Sequence, residues 1–272
     1  MITIVTDSTA DFLGEVPANV KIVPLYVSFG EEEYLDGVTL SSDEFFEKLK
    51  KSKALPKTSQ PNPEDFEEAY RKAGSDIISL HLSEKMSGTF QSAKTASQAL
   101  SDVDIRVIDS RSFSMGLGVM VAKAARMAEA GEGLDAIEKE IRRMIPRFRL
   151  YGTLDTLSYL EKGGRIGKVA YFLGSRFQIK PIIYVKDGDI FPLTKVRKRA
   201  KALEKLVEKM SEHKGKMEKI AVIHTVAEAE AKEVAAKLKV LFPDQEIPVV
   251  QTGSTIGTHA GPGLVGVGGI MK

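Results

Sequence analysis

Four polar segments of this 272-residue chain carry hydroxyl groups, glycines or a histidine near the predicted ends of strands. The first, residues 6–9 (Thr-Asp-Ser-Thr), directly follows the opening apolar run. Because α/β proteins bind ligands at the carboxyl ends of parallel strands, these side chains are candidates for ligand binding. They could instead cap a following helix, and the sequence leaves both interpretations open.

Two more segments offer hydroxyl donors just before predicted helices. Residues 57–61 (Lys-Thr-Ser-Gln-Pro) include Thr58, although ordinary turn chemistry explains this loop when it is taken alone. Ser87 and Gly88 lie where a strand ending near Leu82 gives way to a helix rich in alanine and serine. Free N–H groups and the positive dipole end favour an anion there, and glycine allows close approach to the backbone. The alternative is that Ser87 only caps its own helix.

The fourth segment, residues 253–263, places many glycines around His259. This composition is typical of a loop shaped for close backbone approach rather than for core packing. His81 and His224 stand at the ends of apolar runs and are predicted to be structural, whereas His213, on a lysine-rich helix end, is predicted to be solvated. His259 is therefore the candidate functional histidine.

Two basic segments are weaker candidates. Residues 162–168 (Lys-Gly-Gly-Arg-Ile-Gly-Lys) look like a phosphate loop, but they lack the spacing of a Walker motif and its final Ser or Thr. Residues 195–201 begin a long predicted helix and include Arg197. Runs of charged residues usually form solvent-exposed faces of helices. The alternative is that this run forms a surface for a partner protein.

Composition argues against several classes of chemistry. The chain has no cysteine, which rules out disulfides, thiolate zinc sites and a cysteine nucleophile, and we predict no metal or cofactor. A net charge of +2, from 39 Lys and Arg against 37 Asp and Glu, does not favour nucleic-acid binding. The first residues resemble a strand rather than a signal peptide, and no apolar run reaches membrane-spanning length. We therefore expect a cytoplasmic protein with at most transient membrane contact.

The elements that position these segments predict an α/β fold. β-branched runs alternate with amphipathic stretches through the first half of the chain, at residues 2–6, 21–29, 76–81 and 104–108. This alternation predicts a parallel sheet with helices on its faces. Within residues 24–36, Gly30 separates two alternating runs and indicates a hairpin that leaves the sheet.

A change of pattern near residue 148 predicts a second domain. Pro146 ends a helix, and the strand runs that follow are joined by Asp187 and Gly188, a pair typical of hairpin turns. We predict a three-layer parallel-sheet domain over residues 1–148 and a mixed-sheet α/β domain over residues 149–272.

Taken together, the polar segments resemble the DegV family, bacterial fatty-acid-binding proteins. The matching motifs, in chain order, are residues 5–8 (Val-Thr-Asp-Ser), 57–61, 87–89 (Ser-Gly-Thr), 163–167 (Gly-Gly-Arg-Ile-Gly), and 252–254 (Thr-Gly-Ser) with His259. Each motif is weak singly, but five in order, at family-like separations, span the whole chain. The resemblance implies two α/β domains with a ligand tunnel between them and no catalysis by the protein itself.

The resemblance also implies where the ligand binds. The carboxylate of a long-chain fatty acid such as palmitate would be held by Thr58 and Ser87, with Gly88 and His259 close to the same head group. Such proteins serve as the acyl-carrying subunit of fatty acid kinase, whose separate ATP-dependent catalytic subunit makes an acyl phosphate for phospholipid synthesis. Arg197 matches the arginine associated with kinase contact, although Lys198 stands where a small hydroxyl residue is often found.

A fatty acid suits these residues physically. A chain of ~16 carbons contributes on the order of 12 kcal/mol, at about 0.8 kcal/mol per buried methylene, before the costs of binding. Hydroxyl and N–H donors can satisfy the carboxylate without burying an opposing Lys or Arg. Residues 113–121 are apolar nearly all round, which makes them a candidate tunnel lining, with ordinary core as the alternative.

Three other functions fit parts of the sequence. A serine hydrolase of acyl esters would use Ser87 and His259, but the chain lacks a G-x-S-x-G elbow. No acid partner for the histidine is evident from spacing, although Asp7 could come near it in space. An ATP-using enzyme related to dihydroxyacetone kinases would use residues 163–168, although no nucleotide fingerprint accompanies them. DNA binding through the helix at Arg197 is opposed by the charge balance.

Overall fold

Strands and helices alternate along the chain. The computed structural model describes residues 2–74, 76–172 and 179–272. The strands are β1 (Thr3–Asp7), β2 (Val20–Val23), β3 (Tyr26–Phe29), β4 (Glu32–Leu35), β5 (Lys57–Ser59), β6 (Ile77–His81), β7 (Ile105–Asp109), β8 (Phe148–Thr153), β9 (Lys180–Lys186), β10 (Asp189–Val196), β11 (Met217–His224), β12 (Val249–Gln251) and β13 (Val265–Met271). The helices are α1 (Ser42–Lys51), α2 (Pro63–Ala73), α3 (Thr89–Gln98), α4 (Met115–Glu129), α5 (Leu134–Met144), α6 (Ser158–Lys162), α7 (Arg199–Ser211), α8 (Glu228–Leu241) and α9 (Ser254–Ala260), with 3-10 turns at Ile145–Arg147 and Gly167–Phe172. Within the described ranges, no helix is long and apolar enough to cross a membrane.

Four parallel strands form the first sheet, in the order β2-β1-β6-β7. Alternate residues of a strand point to opposite faces, so Val5 and Ile77 pack with α2 and α3. Ile4 and Ile78 pack on the other side, with α4 and α5. Because helices cover both faces, the central strands β1 and β6 are buried almost throughout. The predicted three-layer arrangement is confirmed.

A small antiparallel sheet, in the order β4-β3-β5, leaves the main sheet after β2. Its β3–β4 hairpin turns at Gly30, whose φ is 65°, and confirms the hairpin predicted within residues 24–36. The sequence does not predict β5. Thr58 pairs with Val27 of β3, so residues 57–59 form a strand rather than a turn. Both β3 and β5 contact α9.

The second sheet has six strands, in the order β10-β9-β8-β13-β11-β12. β11 and β12 are parallel, and the other neighbours are antiparallel, which confirms the predicted mixed sheet. Asp187 and Gly188, with φ of 50° and 78°, form the predicted turn between β9 and β10. The described strands of this sheet all begin at or after Phe148. Division of the chain into two domains at residue 148 stays a prediction.

Helix α4 is buried between the two sheets. It contacts β1 and β6 on one side and β8 and β13 on the other, which explains why its sequence is apolar nearly all round. Two glycines allow this close packing. A Cβ at Gly116 would collide with the ring of Phe148, and one at Gly118 with the backbone of Asp11. Ordinary core therefore accounts for residues 115–121, whereas Phe113 and Ser114, at the start of the predicted tunnel lining, border a cavity.

Candidate ligand-binding cavity

An apolar cavity lies between the mixed sheet and the segments that follow β2, β6 and β7. Its floor is a row of residues in register across four strands: Ile223, Gly266, Gly152 and Ile183. The other apolar walls include Leu25, Leu82, Phe113, Leu154, Leu160 and Leu264. A Cβ at Gly152 would make only ordinary contacts, so this glycine widens the cavity rather than relieving a clash. The empty space between the walls is about 870 Å³, and part of it is open to solvent.

Thr58 and His259 meet at one end of this cavity. Thr58 Oγ1 lies 2.8 Å from His259 Nε2, and both residues line the cavity. β5 supplies Thr58, and α9 supplies His259. Because α9 packs on β3 and β5, the small antiparallel sheet brings together two residues that are 201 positions apart.

The ring of His259 is uncharged at neutral pH. Burial, assisted by the positive charge of Arg165, lowers the pKa of His259 to about 4. One ring nitrogen therefore donates a hydrogen bond, and the other can accept a hydrogen bond. Nδ1 has no hydrogen-bond partner in the described part of the chain. Gly163 lies against this atom, where any Cβ would collide with Nδ1, so that glycine makes room for the ring.

Arg165 is a candidate site residue that was not predicted from the sequence. Its side chain lines the cavity, its Nε donates to Met86 O at 3.1 Å, and its Nη1 donates to Gly163 O at 2.8 Å. These bonds join the 163–167 loop to the loop that carries Ser87. The polar end thus includes a partly exposed guanidinium beside the neutral donors. The sequence feature that could have indicated Arg165 is the glycine pair before it, because glycines let other groups approach the backbone closely.

Ser87 lines the cavity at the start of α3. Its Oγ lies 2.9 Å from Thr89 Oγ1 and accepts the N–H of Thr89 at 3.3 Å, so a local capping contact is part of its role. Gly88 is the N-cap residue and borders a more open pocket beside the cavity, together with Ser87 and Arg165. A Cβ at Gly88 would collide with the side-chain amide of Gln60, which follows β5. This contact places the two hydroxyl-bearing loops side by side.

Two buried carboxylates hold the start of α9. Asp36 accepts the backbone N–H groups of Ser254 at 3.1 Å and Thr255 at 3.2 Å. Asp11 accepts the N–H of Gly253 at 3.1 Å, and burial raises the pKa of Asp11 to about 7. Neither carboxylate is marked by the sequence alone. Their partners lie 218 to 242 positions away, and no local pattern marks such contacts.

The segment after β1 is structural. Asp7 is fully buried and accepts the N–H groups of Thr9 at 3.0 Å and Leu82 at 2.9 Å. It also lies 3.1 Å from Nδ1 of His81, which is buried as predicted. The chain then runs through turns and bends to β2, so the alternative of a helix cap is wrong. The hydroxyl of Ser8 donates to Asp36 at 3.0 Å, so Ser8 supports the carboxylate that holds the start of α9.

The two remaining histidines lie away from the polar end. His224 is buried as predicted, and its Nδ1 accepts the N–H of Ala227 at 3.4 Å. The prediction of a solvated His213 is wrong. Its Nε2 lies 3.0 Å from the hydroxyl of Tyr151, and the two rings stack, because the end of α7 packs over β8.

The predicted residues do not assemble a Ser-His-Asp triad. Nε2 of His259 contacts Thr58, and the carboxylate of Asp7 contacts His81. Across residues 2–74, 76–172 and 179–272, no group of three or more His, Cys, Asp or Glu side chains could hold a metal ion. Arg197 is exposed between β10 and α7.

The fold and the cavity define the class as an α/β protein, built on a parallel sheet and a mixed sheet with a small antiparallel sheet, whose apolar cavity is polar at one end. The chain belongs to the DegV family, since the family model described as "Uncharacterised protein, DegV family" matches residues 1–272. A DegV domain-containing protein of Deinococcus radiodurans is 38% identical over 276 residues, covering 98% of this chain and 97% of the relative. The resemblance drawn from the motifs is confirmed.

Solved structures share the fold over the whole chain. DegV, a fatty acid binding protein from Bacillus subtilis, is similar with a TM-score of 0.90 and 34% identity, covering 100% of this chain and 99% of that chain. A stearic acid-binding protein from Eubacterium ventriosum is similar with a TM-score of 0.90 and 28% identity, again covering 100% of this chain and 99% of that chain. These likenesses confirm the predicted fold class.

Proposed function

We propose that this protein binds a long-chain fatty acid, with the hydrocarbon chain among the apolar walls and the carboxylate beside Thr58, Ser87 and His259. The observation that carries the proposal is the convergence of these three residues and Arg165, from distant parts of the chain, on one end of an apolar cavity. The two similar solved proteins, one fatty acid binding and one stearic acid-binding, support it.

The walls suit an alkyl chain. Leucine and isoleucine side chains, with Phe113, line much of the cavity, and Gly152 in the floor leaves room for a ligand. Each buried methylene contributes about 0.8 kcal/mol, so the tail supplies most of the affinity. The head-group contacts then need only orient the carboxylate.

The polar end suits a carboxylate without a fully buried ion pair. Thr58 and Ser87 supply hydroxyl donors, and the neutral ring of His259 can supply an N–H. Arg165 attracts the anion while remaining partly exposed, which limits its desolvation cost. Gly88, at the start of α3, adds backbone N–H groups at the positive end of the helix dipole.

The second part of the proposal is that this protein presents the carboxylate to another enzyme. The open pocket bordered by Ser87, Gly88, Gly164 and Arg165 offers a route from solvent to the polar end. A separate ATP-dependent fatty acid kinase would phosphorylate the bound carboxylate there, in the cytoplasm, and the acyl phosphate would enter phospholipid synthesis. Arg197 is the proposed kinase contact.

Organic extraction followed by mass spectrometry tests the binding proposal. We expect about one fatty acid per chain, and we expect lipid-free protein to bind added palmitate. Ser87→Ala and Thr58→Val should each weaken this binding at least about tenfold, since each removes a hydrogen bond to a charged group.

Ser97→Ala is the matched control, because Ser97 lies on the same helix and its hydroxyl donates to the nearby Lys94 O. Its affinity for palmitate should be unchanged. If no fatty acid is extracted and the protein does not bind added palmitate, the proposal is wrong. Turnover of acyl esters that disappears in Ser87→Ala would contradict its non-catalytic part.

A further inference from the structure

The cavity wall contains a hydroxyl group beyond those assigned to the carboxylate. Thr255 is only 4% exposed, and its side chain lines the cavity. Its Oγ1 has no hydrogen-bond partner among the residues that the structure describes. Because a buried hydroxyl without a partner is costly, a ligand that brings a polar group to this point gains binding energy.

The position of Thr255 on α9 explains why its hydroxyl has no carbonyl of the same helix to bond. A threonine inside a helix commonly bonds the carbonyl four residues back, as Thr258 does with Ser254 O at 3.0 Å. Thr255 lies in the first turn, and the residue four positions before it, Gln251, belongs to β12. The backbone N–H of Thr255 is already bonded to Asp36.

A second hydroxyl borders the same cavity. Ser114 is fully buried, lines the cavity and donates to Asp11 at 2.5 Å. Asp11 also accepts the N–H of Gly253, two residues before Thr255, so one carboxylate connects both polar segments. Ser114 has φ 53° and ψ −137°, a conformation that serine rarely adopts. Its oxygen keeps the capacity to accept a further hydrogen bond.

We propose that the cavity prefers fatty acids that are hydroxylated at the third carbon, and that Thr255 binds this hydroxyl. The inference rests on the proposed function, because it assigns a second contact to the same ligand. Thr255 precedes His259 by four residues on one helix, which is about 6 Å along the axis. A hydroxyl two carbon atoms beyond the carboxylate carbon, together with one hydrogen bond, spans this offset.

Competition against a fluorescent fatty acid tests the inference on lipid-free protein. The competitors are hexadecanoic acid and the two enantiomers of 3-hydroxyhexadecanoic acid. We expect one enantiomer to bind about fivefold more tightly than hexadecanoic acid, the factor that one ordinary hydrogen bond supplies. Thr255→Val, which keeps the shape and removes the hydroxyl, should abolish the preference, and Thr255→Ser should retain it.

Thr258→Val is the matched control, since its hydroxyl lies on the same helix and bonds Ser254 O, and it should leave the preference unchanged. Thr255→Ala provides the same test if the valine variant fails to fold. Equal affinity of the wild type for all three acids, or a preference that survives in Thr255→Val, overturns the inference and leaves the proposed function standing. If no fatty acid binds at all, both fail.

Discussion

His259 occupies space that a glycine at position 163 leaves free. Any Cβ there would collide with Nδ1 of the ring and would lie 2.9 Å from the carbonyl oxygen of Tyr159. A side chain at position 163 must therefore move the ring or the backbone of α6. The contact between Thr58 and His259 thus depends on a residue that has no functional group of its own.

Gly163→Ala should weaken palmitate binding about tenfold, because displacing His259 removes one hydrogen bond to the carboxylate. Isothermal titration calorimetry measures this loss. Gly14→Ala is the control, since no atom lies within 4 Å of a Cβ built there. Unchanged affinity in a folded Gly163→Ala protein would show that the ring either stays in place or contributes nothing.

The sequence identified part of the site at this scale. Thr58, Ser87 and His259 stand in motifs that the family resemblance marks, and all three line the cavity. Their roles as carboxylate ligands remain proposals. Arg165 and Asp36 were missed, because their importance comes from contacts with segments far along the chain.

At the scale of elements, α9 depends on its surroundings. A helix of seven residues is too short to be stable in isolation. Asp36 bonds two of its first N–H groups, and Gly257 packs against the rings of Phe45 and Phe46 so closely that a Cβ would clash. The residues that hold α9 therefore also determine where His259 stands.

Asp36→Asn should lower the free energy of unfolding by about 2 kcal/mol, because a buried backbone N–H loses its carboxylate acceptor. We also expect weaker palmitate binding, since α9 carries His259. Urea denaturation measures the stability. Asp43→Asn is the control, since the exposed Asp43 bonds Gln251 Nε2 at 2.7 Å, just before α9, and this surface change should cost less than about 0.5 kcal/mol. Equal losses in the two variants would contradict the assigned role of Asp36.

At the scale of the whole molecule, the two halves share one core. The largest cluster of buried apolar residues joins Ile4 and Met120 from the first half with Leu150 and Ile270 from the second. Helix α4 lies between the sheets and contacts both of them. The predicted division at residue 148 separates the sheets, but the apolar packing crosses it.

We therefore expect a single cooperative unfolding transition, with circular dichroism and amide hydrogen exchange giving the same urea midpoint. Residues 1–148 alone should not fold stably, because the side of α4 that faces β8 and β13 would be exposed. Saturating palmitate should raise the midpoint of the whole chain, since the ligand binds only the folded state. Two separate transitions would instead establish independently stable domains.

The sequence by itself determined the features that depend on neighbours along the chain. Alternating apolar runs predicted the parallel sheet, Gly30 the hairpin, and Asp187 with Gly188 the second turn. Tertiary structure decided the features that depend on distant residues. It placed α4 between two sheets, made residues 57–59 a strand, and positioned Arg165 at the polar end. The physical reason is that strand and turn preferences act locally, whereas the cavity is formed by packing between segments that no local pattern connects.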